Sequence, residues 1–243
     1  MFQFFVEPEQ IQEERVIITG SDVNHIRNVL RMKAGEQVRI SDNSGSDYLC
    51  RIAEITSEQV ELYIIERCSN TELPVRITLF QGLPKSDKME LIIQKAVELG
   101  VSEIVPVAMK NCVVKLDEKK AKAKQSRWQA IAESAAKQSK RSVIPAIGEV
   151  TAFSVAAARA KEMEVRLVPY ENERGMAHTR EVLKKIAKGS RVAVFIGPEG
   201  GFAPSEIELV QDNMELISLG NRILRTETAG LAALAMLILA IED

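Results

Sequence analysis

The chain has 243 residues, 46% hydrophobic and 27% charged, a composition ordinary for a soluble globular protein with an ample core. Its cysteines (Cys50, Cys68 and Cys112) are odd in number and lack CxxC spacing, and it has two histidines, which argues against a disulfide framework, a zinc site or Ser-His-Asp chemistry. The N-terminus lacks a basic segment and a long apolar run, so we expect no signal peptide and a cytoplasmic protein.

The net charge of −2 is unevenly distributed along the chain. Residues 1–72 carry a charge of −6 and the remainder carries +4. The basic charge is concentrated in residues 110–141, where ten lysines and arginines accompany three acidic residues. This segment is where a polyanion would first be attracted.

Residues 1–70 are predicted to form a small β-rich domain. Four short runs with partial alternation indicate strands, and turn residues at 42–47 separate two of them, which favours a small barrel: Arg15–Thr19, Gln37–Ser41, Tyr48–Ala53 and Val60–Ile65. One helix interrupts them, capped by Ser21 or Asp22. A polar segment that ends in Pro74 is a plausible linker.

The next part of the chain has strand–helix–strand order. An alternating run at 75–80 precedes a helix whose apolar stripe begins at Met89 and which ends at Gly100, and a strand follows at 101–107. Asp87 and Glu90 offer a capping box. This order implies a parallel sheet with right-handed crossovers.

Further elements continue the α/β pattern. A charged helix start at 117–124 leads into an apolar stripe around Trp128, a strand follows at 165–171, and a helix is expected at 176–188. Ligands in doubly wound sheets lie beyond the carboxyl ends of the strands, so the exit after Val168 should line a site.

Two glycine-containing turns lie near the end of the chain. Residues 195–201 read Phe-Ile-Gly-Pro-Glu-Gly-Gly, after a valine-rich strand and before a helix that Pro204 opens, with Ser205 and Glu208 at capping-box spacing. Residues 218–230 follow a second apolar run and lead into a helix that is apolar on every side, which predicts burial in a core or against a partner subunit. Glycines in such turns let the backbone approach a ligand closely.

These two turns, with Arg127-Trp128, Gln138–Arg141 and the run His25–Arg31, resemble the RsmE family of SPOUT-class methyltransferases. The resemblance implies an α/β parallel-sheet SPOUT domain at residues 74–243 with a C-terminal trefoil knot, preceded by a small PUA-like, RNA-binding β-barrel at residues 1–70. It also implies S-adenosyl-L-methionine as cofactor, no metal, a homodimer, and methylation of N3 of a uridine in 16S ribosomal RNA within a small-subunit particle.

The resemblance also implies roles for individual residues. Arg225 would stabilise charge on the uracil oxygens, and Glu171 or Glu227 would orient the base or accept its proton, with helix capping as the alternative for Glu227. Cofactor-binding residues are expected in three loops: Val168, Pro169, Tyr170, Ile196, Gly197, Pro198, Gly200, Gly201, Leu219, Gly220, Ile223, Leu224, Thr228 and Ala229. Glu199 has no evident role toward a sulfonium and is expected to tie its loop internally.

RNA-binding residues are expected on basic segments, although solvated charged faces are an equally ordinary explanation: Arg27, Arg31, Lys33, Lys85, Lys88, Arg127, Lys137, Lys140 and Arg141.

Two other functions stay open. A nucleotide- or NAD-binding enzyme would also use a glycine turn, but neither GxGxxG nor GxxxxGK[ST] occurs. A non-catalytic RNA-binding protein of the same fold would keep the basic segment without the cofactor, and an enzyme of this class could act on another RNA site.

Overall fold

The computed structural model describes residues 1–242, so the last residue of the predicted C-terminal domain, 243, lies outside the described part. The chain divides into two compact units. The first unit contains residues 1–72 and 136–144, and the second contains residues 73–135 and the chain from 145 onward. The sequence assigned residues 136–144 to the C-terminal domain, whereas here they group with the first unit.

The first unit is built on a six-stranded sheet in the order β1-β4-β5-β6-β3-β2. β1 and β4 are parallel and the other pairs are antiparallel. The strands are β1 (Gln3–Phe5), β2 (Ile11–Gln12), β3 (Arg15–Thr19), β4 (Gln37–Ser41), β5 (Asp47–Ile55) and β6 (Gln59–Cys68). The four predicted strands are confirmed, and the two edge strands β1 and β2 were not predicted.

One helical segment lies against this sheet. It begins as α1 (Ser21–Asn24), with Gly20 rather than Ser21 or Asp22 at the N-cap position, and continues as a π-helical turn over His25–Val29. Val23 and Ile26 point into the apolar core that alternate residues of the strands form. Arg31, at φ 54°, ends the helical segment in the left-handed region.

Residues 136–144 are fastened to the first unit by buried polar contacts. Arg141 is 3% exposed, and its Nε donates to Oε1 of Glu72 at 2.9 Å. The backbone N–H of Ser142 donates to the same Glu72 oxygen at 2.8 Å, and the Ser142 hydroxyl donates to Asp47. A buried arginine needs such a partner, because an uncompensated buried charge is costly.

The second unit is an α/β layer around a parallel sheet, as the strand–helix–strand order predicted. The strand order is β10-β8-β7-β12-β11-β13, with β9 pairing to β8. The strands are β7 (Arg76–Gly82), β8 (Glu103–Ala108), β9 (Ala146–Ile147), β10 (Thr151–Ala152), β11 (Val165–Pro169), β12 (Arg191–Ile196) and β13 (Glu215–Ile217). β7 and β12 lie at the centre, and Phe80 stacks on Phe195 with ring centroids 4.4 Å apart.

The helices of this part of the chain are α2 (Lys88–Glu98), α3 (Glu118–Ser139), α4 (Phe153–Ala160), α5 (Ala177–Lys184), α6 (Pro204–Val210) and α7 (Thr226–Ile241), and the last residues of α3, from 136, belong to the first unit. α7 follows the edge strand β13, yet it packs on α2 and on the central strand β12. The chain between β13 and α7 therefore returns from the edge of the sheet to its centre. No helix in residues 1–242 combines the length and the hydropathy that a membrane crossing requires.

Several local predictions need correction. Asp87 is at the N-cap position of α2 but makes no side-chain cap hydrogen bond, and Glu90 pairs with Arg127 rather than completing a capping box. In α6 the carboxylate that binds the N-cap N–H belongs to Glu206, which accepts from Ala203 N at 2.8 Å, so the predicted pair of Ser205 and Glu208 does not cap the helix.

Within the single chain α7 is buried on one face only, so the predicted burial in a core holds for that face, and burial against a partner subunit stays a prediction. One face, which includes Leu234 and Leu237, is fully buried, whereas Leu239 on the other face is 81% exposed. The helix is apolar all round, so pattern alone could not distinguish its two faces.

Candidate active site

A cavity of about 420 Å³ lies at the carboxyl edge of the parallel sheet. Three loops form its walls, and they follow β11, β12 and β13. These three strands end at the same edge because they are parallel to one another or to a shared neighbour. The volume is within the ordinary range of small-molecule and cofactor sites.

Glycine is required at two positions around the cavity. Gly220 lines it at φ 107°, a conformation that L side chains rarely adopt. Gly82, at the end of β7, lies so close to the next loop that an added Cβ would be 2.7 Å from the backbone nitrogen of Pro198. The loop after β12 can therefore pack directly on the central strands.

Thr226, the first residue of α7, joins two of the walls to the central strand. Its hydroxyl donates to the carbonyl of Gly197 at 2.7 Å and accepts from Nε2 of Gln81 at 2.9 Å. Thr226 is 5% exposed and Gln81 is fully buried, so water cannot readily replace these bonds. The loop after β12 is thus held to the start of α7.

Lys88 makes a second connection between the same segments. Its Nζ lies 3.0 Å from Oε1 of Glu199 and 3.1 Å from Oε2 of Glu227. Contacts with Glu199 and then Glu227 raise the pKa of Lys88. Burial works to raise the pKa of each carboxyl, but hydrogen bonds and Lys88 outweigh it, and both pKa values are lowered.

The structure therefore gives Glu199 and Lys88 clear positions. The carboxylate of Glu199 also accepts from the backbone N–H of Lys85 at 3.1 Å, so it ties its loop to the turn before α2 rather than internally. Lys88, which the sequence placed among the RNA-binding residues, lines the cavity as an ion-paired side chain. Lys85 is exposed.

The proposed catalytic residues are divided between two environments. Arg225 and Glu171 line the cavity with exposed side chains, whereas Glu227 is half-buried beside Lys88 and is outside the lining. The Glu171 carboxylate lies over Gly201, where an added Cβ would be 3.4 Å from Oε1. Of the two candidate carboxylates, only Glu171 faces the cavity.

Most of the predicted cofactor-binding residues converge on this cavity. Val168, Gly200 and Thr228 do not line it: Val168 is buried in β11, and Gly200 packs on Asn111. The residues that line it are Pro169, Tyr170, Ile196, Gly197, Pro198, Gly201, Leu219, Gly220, Ile223, Leu224 and Ala229.

Sequence reasoning missed several lining residues. Phe202 adds an aromatic surface to the apolar part, and Ser218 adds a hydroxyl. Glu173, Arg174 and Arg222 add charge. Arg222 lies within the second glycine turn, and Glu173 and Arg174 lie in the loop after β11 that was expected to line a site, so the positions of both loops were usable signals.

The other residues expected to bind RNA fall into exposed and structurally engaged groups. Arg27, Arg31 and Lys33 are exposed, and so is Arg127, although its Nε lies 2.8 Å from a Glu90 oxygen.

The remaining three are engaged within the first unit. Lys137 pairs with Asp22 at 3.3 Å, and the Nζ of Lys140 donates to the Met1 carbonyl at 2.8 Å. Burial and the neighbouring Arg39 lower the pKa of Lys140. Arg141 is buried against Glu72, so its guanidinium is not available to a phosphate.

The cavity chemistry fits an adenosyl group with an amino-acid tail. Ile196, Leu219, Leu224 and Phe202 offer an apolar surface for a purine, and the loops present backbone polar groups and charges at the rim. Within residues 1–242 no cluster of three or more His, Cys, Asp or Glu side chains could hold a metal ion.

Comparisons with known proteins agree with this geometry. Residues 71–238 match the model of the RNA methyltransferase domain, and residues 18–65 match that of the RNA methyltransferase PUA domain. The chain is 38% identical to ribosomal RNA small subunit methyltransferase E of Bacillus subtilis (strain 168), over 97% of this chain and 95% of the relative. The chain belongs to the ribosomal RNA small subunit methyltransferase E family.

Solved structures of similar proteins support the family and its fold. A methyltransferase from Legionella pneumophila, in complex with the cofactor SAM, is 30% identical with a TM-score of 0.85, covering 98% of this chain and 97% of its own. A ribosomal RNA small subunit methyltransferase E from Neisseria gonorrhoeae, bound to S-adenosyl methionine, is 30% identical with a TM-score of 0.84 over the same shares. The expected SPOUT and PUA-like architecture is confirmed, and membership of this family excludes the NAD- or nucleotide-binding alternative.

Proposed function

We propose that this protein transfers a methyl group from S-adenosyl-L-methionine to N3 of a uridine in 16S ribosomal RNA. The observation that carries the proposal is the single cavity where three loops converge, with an apolar interior and a charged rim, in a member of this family. Relatives of the same fold hold the cofactor. When bound, S-adenosylmethionine supplies an electrophilic methyl group on a sulfonium.

Three residues of the chain have separate roles in the transfer: Arg225, Glu171 and Glu227. Transfer requires that N3 lose its proton and direct the freed electron pair at the methyl carbon while the sulfur–carbon bond breaks. Arg225, exposed at the cavity, stabilises negative charge on the uracil oxygens as the proton leaves. Glu171 accepts that proton, because its carboxylate faces the cavity, whereas Lys88 and hydrogen bonds hold Glu227 as a low-pKa carboxylate that positions the loop.

The loops contribute mainly by orientation. Holding the two reactants at attack distance removes part of the entropic barrier, which is worth several kcal/mol in favourable cases. We infer that the segment between β13 and α7 is threaded as a trefoil knot, which is consistent with its return from the sheet edge to the centre. A knotted chain would fix the second glycine turn more firmly than an ordinary loop.

The experiment combines binding and product analysis. Calorimetry should show one S-adenosylmethionine site per chain, and incubation with unmodified 16S ribosomal RNA should give N3-methyluridine by nucleoside mass spectrometry. Ribosomal RNA from cells that lack the protein should lose one modified uridine, and Glu171→Gln should bind the cofactor normally but transfer slowly. Normal cofactor binding with a methyl group on another nucleoside would refute the uridine assignment, and no cofactor binding would leave only an RNA-binding protein.

We also propose a cytoplasmic homodimer that acts on the small-subunit particle. The exposed face of α7 carries Leu239, and the neighbouring helix α2 exposes 45% of Leu91. An apolar face on two packed helices is typical of a subunit interface. Sedimentation should give a dimer for the natural chain and a monomer for Leu239→Asp, and particles should be better substrates than free ribosomal RNA.

A further inference from the structure

The rim of the cavity carries two arginines for which the chemistry above has no use. Arg174 lies in the loop between β11 and α5, and Arg222 lies in the loop between β13 and α7. Both side chains line the cavity and both are exposed. They therefore approach the same opening from two different walls.

Neither guanidinium has an acidic partner at ion-pair distance among residues 1–242. Three other exposed arginines differ from them in this respect. Arg127, Arg159 and Arg191 are exposed, yet each pairs with a glutamate at 2.6–2.8 Å. A lack of partners at Arg174 and Arg222 leaves two forked donors free for an oxyanion from outside the chain.

We propose that Arg174 and Arg222 bind backbone phosphates of the RNA strand next to the target nucleotide. This inference rests on the proposed function, because it takes RNA as the substrate of the same cavity. Phosphates are oxyanions that arginine binds in a bidentate manner. A target base can enter the cavity only if the strand that carries it crosses the rim, where these side chains lie.

The main electrostatic contact with RNA is therefore expected at the cavity rim rather than on the basic segment 110–141. The basic segment 110–141 has several side chains already engaged by Glu72, Asp22 and Glu90. Exposed, unengaged arginines at the cavity gain more from a phosphate, because no existing pair must be broken. The cofactor carboxylate is the other oxyanion that could reach the rim, and the experiment separates the two sources.

The experiment measures how RNA affinity depends on salt. Binding of in vitro transcribed 16S ribosomal RNA is measured between 50 and 200 mM salt, as is customary for such slopes, with S-adenosylhomocysteine saturating the cavity. Arg174→Ala and Arg222→Ala should each reduce the slope of log affinity against log salt by about 0.7, the contribution of one single-stranded phosphate. Arg222→Lys should restore most of the slope, because it keeps the charge.

Arg180→Ala is the matched control. Arg180 is exposed on α5 and does not line the cavity, so this substitution removes the same charge at a different place. Slopes for Arg174→Ala and Arg222→Ala that equal the Arg180→Ala slope would overturn the proposal. In that case calorimetry identifies the other ligand: weaker S-adenosylmethionine binding with unchanged methylthioadenosine binding would assign the arginines to the cofactor carboxylate.

Failure of the proposed methyltransferase function can be distinguished from failure of the two arginine–phosphate contacts. A natural chain that binds no cofactor or methylates no uridine contradicts that function whatever the salt slopes show. All variants are compared by thermal melting, and because both arginines are exposed we expect melting temperatures close to that of the natural chain.

Discussion

Replacing Thr226 with valine should weaken both the fold and the cofactor site. Valine has nearly the shape of threonine, so the change removes the hydroxyl that bonds Gly197 and Gln81 without leaving a cavity. Each lost hydrogen bond is worth about 1 kcal/mol net, and a stranded buried partner adds to this. Gln81 keeps its second bond, from Nε2 to the Gly82 carbonyl at 3.0 Å, which limits the penalty.

We therefore expect Thr226→Val to lower the free energy of unfolding by about 1–3 kcal/mol. Part of that loss of free energy comes from the hydrogen bonds that hold the cavity walls together. If about 1 kcal/mol of it is needed to close the cavity around a ligand, the Kd for S-adenosylmethionine should rise roughly fivefold. Urea denaturation and calorimetry measure the two effects.

Thr226→Ser is the control, because serine keeps the hydroxyl and loses one methyl group, at a cost of about 0.8 kcal/mol. Its cofactor affinity should remain close to that of the natural chain. Equal stability and equal Kd for the valine and serine variants would show that the Thr226 hydroxyl does not connect the cavity walls.

Three further results should follow from the structure. Arg141→Met should lower the free energy of unfolding by about 1–3 kcal/mol, because it leaves the partly buried Glu72 carboxylate without its cation. The RNA salt slope should stay unchanged, and an altered slope would support a phosphate contact at Arg141. Gly220→Ala should weaken S-adenosylmethionine binding, measured by calorimetry, because an alanine at φ 107° is strained by about 1–3 kcal/mol. Gly189 also has a positive φ but lies away from the cavity, so Gly189→Ala should lower stability without changing the Kd. Arg191 lowers the pKa of Glu164 from 4.5 to about 2, so the pair stabilises the folded protein above pH 4.5. This stabilisation should be lost as the pH falls from 4.5 to about 2, and acid unfolding of Arg191→Met should show no loss of stability from this pair in that range.

The sequence determined the local elements and the place of the site. Valine-rich runs such as 191–196 favour a buried strand. The alternation of such strands with amphipathic helices predicts a parallel sheet. Glycines at 197, 201 and 220 marked two of the three cavity walls in advance, because few other residues permit those backbone conformations and close approaches.

Only the tertiary structure decided which charges are engaged and which are free. Lys88 and Arg141 resemble solvent-facing cations in the sequence, but one bridges Glu199 and Glu227 and the other is buried with Glu72. Arg174 carries no signal of its own and reaches the cavity because β11 ends beside β13. Partners such as Thr226 and Gln81 lie 145 positions apart, so their bond depends on strand order and on the return of the chain to α7, which no local pattern encodes.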